Sequence, residues 1–170
     1  NPLKTNSRIG LYKPFTSSMD EGWTRLVLDN HQIPYRSVSN EDMRHDRLDL
    51  DVILLAADSE NTLINGLNEQ RYPAEFAGGI GDAGIGNLKK FVESGGKLVC
   101  FDSSCGLVIK QFALPVRNVL GGLKRSEFYN PGSIVKLTVD RSDPLAKGMP
   151  SETPAYFTTS SAFEVAADAR

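Results

Sequence analysis

The feature that most restricts the fold is the run "LDVILLAA", Leu50–Ala57, echoed later by "KLVCFD", Lys97–Asp102. Both are apolar almost without alternation, the pattern of strands buried on both faces of a parallel sheet. Neither approaches the roughly 20 apolar residues that a membrane-spanning helix needs. Parallel neighbours cannot be joined by a tight hairpin, so helical crossovers are expected between the strands.

The rest of the chain supplies them. "RIGLY" (Arg8–Tyr12) reads as a first strand, and "KPFTSS" as a loop that Pro14 keeps from being helical. Ser18 is placed to cap a helix over Met19–Asn30, with Glu21 as its box partner and Trp23, Leu26 and Val27 at helical spacing. "IPYRSV" is a short second strand, followed by a brief helix capped by Ser39. Asp58–Gly84 is polar and Gly-rich without periodicity and reads as a long functional loop or an insertion. "IGNLKKFVESGG" is a helix with Leu88, Phe91 and Val92 on one face and a Gly95-Gly96 stop; "CGLVIKQF" is another.

This order predicts an α/β fold with a mostly parallel, doubly wound sheet. Beyond it, "SIVKLTV" (Ser133–Val139) alternates with period two, and "AYFTTSSAFEV" holds one or two short strands. They are expected to form an antiparallel C-terminal extension on an edge of the sheet. No repeat, low-complexity tract or interdomain linker is visible, so residues 1–170 read as a single domain. The chain begins at Asn1 without an initiator methionine, which suggests a piece of a longer protein.

Charge excludes some functions. The net charge is −2, and Lys and Arg are scattered rather than clustered, which argues against nucleic-acid and anionic-membrane partners. The two cysteines, Cys100 and Cys105, make no disulfide framework and are expected to be reduced, with Cys100 a small buried apolar residue. The two histidines, His31 and His45, offer no His-x-x-Glu spacing, and no Cys-x-x-Cys is present. No metal site and no cofactor are expected in this chain.

Two stretches carry possible chemistry. Gly79-x-Gly81-x-x-Gly84 has the spacing of a dinucleotide fingerprint, but it does not follow the first strand, and Asp82 would repel a pyrophosphate. The glycines are better explained by a tight entry into a helix. "VCFDSSCGLVI" (Val99–Ile109) has the strand–corner–helix form of a nucleophile elbow, with Ser103 at the nucleophile's position and Cys105 as a second candidate. A helix N-terminus there could lower a thiol pKa and hold an oxyanion. The base is missing, because no histidine follows Cys105. Asp102, beside Ser103, reads either as a ligand contact at the sheet's carboxyl edge or as a cap of the next helix. Trp23, Phe128 and Tyr129 could wall a binding pocket there, or pack loops onto the sheet.

Four phrases together resemble one family: "RIGLYKPFTSSMDEGWTRLVLDNHQIPY", "YPAEFAGGIGDAGIGNLKKFVESGGKLVCFDSS", "LPVRNVL" and "EFYNPGSIVKLTVDRSDPLAKGMP". They are similar to the C-terminal class I glutamine amidotransferase-like domain of bacterial zinc carboxypeptidase-like proteins, metallopeptidases of the carboxypeptidase A type. The resemblance implies a flavodoxin-like three-layer sandwich. It also implies a secreted or periplasmic parent protein, with zinc and the peptidase residues in an upstream domain. Nothing catalytic carries over, since the amidotransferase motif needs Cys at the elbow, where this chain has Ser103.

The expected function is therefore a non-catalytic accessory or binding domain, partnered by the upstream peptidase domain and taking a peptide or cell-wall ligand. One alternative is a hydrolase or amidotransferase using Ser103 or Cys105. Another is a small-molecule binder at the carboxyl edge, lined by Trp23, Asp102, Ser103 and Tyr129.

Overall fold

A computed structural model of the chain describes residues 7–16 and 18–167. The chain divides into two compact units, one running to Val116 and rejoined at Ala166, the other Arg117–Val165. The sequence carries no linker signal at this division.

The first unit holds strands β1 (Ile9–Tyr12), β2 (Arg36–Val38), β3 (Val52–Leu55) and β4 (Lys97–Cys100) in one sheet of order β2-β1-β3-β4. Every pairing in it is parallel, with Gly10 opposite Arg36 and Ile53, and Leu54 opposite Val99. Helices α1 (Met19–Asn30), α2 (Asn40–Arg44), α3 (Glu60–Asn65), α4 (Gly81–Glu93) and α5 (Ser104–Gln111) make the connections. Helix α1 packs on β1, α4 and α5 pack on β4, and α4 also meets α2 and α3. The core between them is dry: Leu11, Met43, Ile53, Leu55, Leu63, Ile80, Leu88 and Leu107 are each at most 1% exposed. This is the flavodoxin-like, doubly wound α/β fold that the order of elements predicts.

Three expectations need correction. The Asp58–Gly84 segment is not structureless: it holds α3, capped by Ser59, a bridge between Leu67 and Gly78, and the start of α4 at Gly81. Its glycines serve packing, for a Cβ on Gly79 would lie 2.4 Å from the Leu63 carbonyl oxygen. Ser39 makes the full capping box with Asp42, but Ser18 makes only half of one. It accepts from the Glu21 N–H, while the Glu21 carboxylate turns to Arg25 instead. Finally, α1 buries Glu21 and Leu28, so Trp23, Leu26 and Val27 face solvent and not the core.

In the second unit β5 (Val116–Asn118) pairs with β8 (Phe163–Val165), and β6 (Ser133–Thr138) pairs antiparallel with β7 (Glu152–Phe157). These are two sheets of their own and not extra strands of the parallel sheet. Between β6 and β7, Asp143 caps a 3-10 turn at Pro144–Ala146.

Candidate functional site

In an open parallel sheet, ligands bind outside the carboxyl ends of the strands where the strand order reverses. In the order β2-β1-β3-β4 that reversal lies between β1 and β3. The residues delivered there are Lys13, Pro14 and Phe15 after β1, and Ala57 and Asp58 after β3.

A buried polar chain braces this edge. The Tyr12 hydroxyl donates to Asn40 Oδ1 at 2.6 Å, and Asn40 Nδ2 donates to the Gly78 carbonyl at 2.9 Å. Arg44 reaches the next carbonyl, Gly79, at 3.0 Å. Asn87, from α4, donates to the carbonyls of Met43 and Arg44 at 2.9 and 3.0 Å, satisfying the end of α2. Burial, with the nearby Asp58 charge, pushes the Tyr12 phenol well above its ordinary value, while Arg44 opposes this more weakly. Tyr12 therefore stays protonated and serves as a structural donor. Phe76, from the 67–78 segment, packs edge-on against Phe15 at 5.1 Å. The loop after β1 and this segment thus stand together beside the switch point.

The elbow closes the far side of the same edge. Ser104 is fully buried. Its hydroxyl lies 2.8 Å from the Phe101 carbonyl and 3.1 Å from that of Leu55, and accepts from the Phe101 N–H at 3.0 Å. It staples the end of β4 to the start of α5 and has no access to a substrate. The left-handed residue at the corner is Asp102, with φ +44°. Ser103 has ordinary helical angles, φ −62° and ψ −28°, and its side chain makes no capping bond. The sequence placed the elbow position at Ser103; the backbone places it one residue earlier. Non-glycine residues are costly in that conformation, and such strain concentrates at functional corners.

Neither thiol is activated. Cys105 Sγ donates to the Cys100 carbonyl at 3.3 Å. Its pKa is raised by burial first and by the Asp102 charge second. Burial, with Cys105 beside it, pushes Cys100 up to about 12. A thiol held protonated is a poor nucleophile. The helix N-terminus expected to lower the Cys105 pKa is thus outweighed. The histidines belong elsewhere: His31 follows α1 and His45 follows α2, on the connections that return to the starts of β2 and β3. A base for the corner would have to come from the opposite direction of the chain.

The corner therefore brings Asp102, Ser103 and Cys105 together. Trp23 does not join them, because it is 63% exposed on the side of α1 opposite its buried face. Tyr129 belongs to the second unit, where the Arg125 guanidinium lies 3.9 Å above its ring and Phe128 packs edge-on to Phe157. The sequence missed Tyr12, Asn40, Asp58 and Phe76; the Gly-rich segment hid the last of these, and strand order alone reveals the importance of the others. Among the described residues no group of three or more His, Cys, Asp or Glu side chains could hold a metal ion. No helix among them is long and apolar enough to cross a membrane.

No family model matches the sequence, and no curated protein matches it. Among solved structures the chain is similar to a GMP synthase subunit from Thermoplasma acidophilum, with a TM-score of 0.51 at 13% identity, over 94% of this chain and 68% of that one. At that identity the likeness establishes the fold, which is that of glutamine amidotransferase-like α/β domains.

Proposed function

We propose that this chain is a binding domain that keeps the corner of an amidotransferase-like fold without its chemistry. Its ligand, a peptide or a cell-wall fragment, lies along the carboxyl edge, with Asp102 and Ser103 as polar contacts. The observation that carries this reading is the occupant of the corner. The strained position holds Asp102, the neighbouring thiols are held protonated, and both histidines lie on the return connections. Tyr129 is a candidate contact on the second unit by itself; Trp23 has no part in the edge. The resemblance in the sequence adds the setting: an accessory domain of a secreted or periplasmic bacterial zinc carboxypeptidase-like protein, with zinc held in an upstream domain.

The test is a melting-temperature screen against peptides and peptidoglycan fragments, run beside assays of glutamine and peptide-amide hydrolysis. A ligand that binds only the folded state raises the melting temperature. The expected result is such a rise, reduced by Asp102→Ala and Ser103→Ala, with no hydrolysis. Turnover that disappears on Ser103→Ala or Cys105→Ala would overturn the reading.

A second reading, an amidotransferase or hydrolase acting at the elbow, has its own support. The likeness to the GMP synthase protein favours it over any link to a carboxypeptidase, and a strained corner is the geometry that presents a nucleophile. It predicts covalent labelling of Ser103 or Cys105 by an electrophilic glutamine analogue, and the binding reading predicts none.

A further inference from the structure

Helix α1 has its amphipathicity reversed. The face it buries carries Glu21, 5% exposed and ion-paired with Arg25, and Leu28. On the opposite face, successive turns bring Met19, Trp23, Leu26 and Val27 into one stripe. These are 83%, 63%, 45% and 55% exposed. A surface helix ordinarily turns such a stripe to the core, and a contiguous apolar stripe left in water marks an interaction surface.

The polar residues edging the stripe select the occupant. Asp20 and His31 lie along one edge, Gly22 and Asp29 along the other, and all four are exposed. A two-fold axis crossing the helix between Arg25 and Leu26 exchanges the position of Asp20 with that of His31. The same axis exchanges Gly22 with Asp29. We propose that α1 docks on α1 of a second copy of this chain, antiparallel about that axis. Asp20 of each copy then meets His31 of the other, and Asp29 meets Gly22, where a Cβ would find open space. Trp23 lies across Leu26 and Val27 of the second copy, and the two helix dipoles oppose each other favourably. A parallel arrangement would set Asp20 on Asp20 and Asp29 on Asp29. The charge pattern is thus self-complementary in one sense of packing only, as an isologous interface requires.

Trp23 is the single tryptophan of the chain and sits at the centre of the proposed contact. Sedimentation equilibrium and Trp emission are measured on the protein from about 5 to 500 µM, the range in which so small an interface should associate. The expected result is a mass rising from monomer to dimer, with a blue shift of the emission over the same range. Val27→Asp, or Leu26→Lys if that variant misfolds by circular dichroism, should raise the dissociation constant at least about tenfold. Asp20→Lys should weaken association, and the added exchange His31→Glu should restore it. A monomer throughout, a dimer whose Trp23 emission does not move or which survives both stripe variants, or a double exchange that restores nothing overturns the proposal.

Discussion

Tyr12 and Asn40 face each other across the ends of two neighbouring strands, joined by a 2.6 Å hydrogen bond in surroundings that leave each residue 2% exposed. Tyr12 closes β1 and Asn40 opens the helix after β2, so the bond fixes the height of two strand ends at the candidate edge. Tyr12→Phe leaves the Asn40 oxygen buried without its donor. It should cost about 1–3 kcal/mol of stability in urea unfolding; a change within error would show that water replaces the hydroxyl.

Cys105 and Cys100 both have raised pKa values, so their thiolate fraction at neutral pH lies below that of a free thiol. Alkylation of the native protein by iodoacetamide at pH 7.5 should be at least about tenfold slower than that of the unfolded chain. Raising the pH should close the gap for Cys105 before it does for Cys100. Rapid native labelling at Cys105 would mean an activated nucleophile.

The end of α5 offers a stabilising change. Ala113 stands at φ +50°, with its N–H on the Lys110 carbonyl and the Leu114 N–H on that of Ile109. This is the glycine position of a Schellman motif. Ala113→Gly should raise stability by about 0.5–1 kcal/mol, read from the shift of the urea midpoint.

Gly79 offers the opposite. An added Cβ would meet the carbonyl oxygens of Leu63 and Ile64 at 2.4 and 2.5 Å, and neither backbone group can swing aside as a side chain could. Gly79→Ala should cost about 3 kcal/mol, measured by urea unfolding, and should loosen the 67–78 segment to proteolysis.

Asp51 sets an acid limit. The Arg8 guanidinium, then the Arg8 N–H, hold its carboxylate at a pKa of about 2, through bonds of 2.8 and 2.7 Å. Its folded value lies below its unfolded one. The contribution is therefore complete above the ordinary carboxylate range and is lost as pH falls from about 4 toward 2. Unfolding free energy measured against pH should fall in that window, and Asp51→Asn should flatten part of the fall.

The parts of the fold that were legible in the sequence are those fixed by local pattern. The apolar runs at β3 and β4, the Ser39 cap and the Gly95-Gly96 stop each declare themselves within a few residues. The spacing of Trp23, Leu26 and Val27 announces a helix correctly but names the wrong inner face. Periodicity cannot say that Glu21, once paired with Arg25, is the side chain that will be buried. Helix α4 begins at Gly81, before the first apolar repeat, because Gly79 and Gly84 are set by contact with α3, Ile80 and Met43. Sequence order conceals such contacts.

At the site, the corner was visible and its register was not. "FDSSCG" offers three small or polar residues in a row, any of which could take the turn. The choice is made by Ser104, whose hydroxyl must reach the Leu55 carbonyl across the sheet. That partner lies on another strand, so nothing local to the corner points to Asp102 as the strained residue.

Strand pairing also bears on the order in which this chain can fold. Thr138 finds Glu152 across one short connection, while Val52 must find Lys97 across α3, the 67–78 segment and α4. Closing the longer span has the greater entropic cost, and non-local parallel pairing is slow. The β6–β7 hairpin should therefore be early, and docking of β4 on β3 late. The corner at Asp102 is built on the last turn of that late step, with Ser104 holding Leu55 only once β4 is home. A nascent or partly folded chain has no version of this corner, so any ligand that needs it would also report that folding is complete.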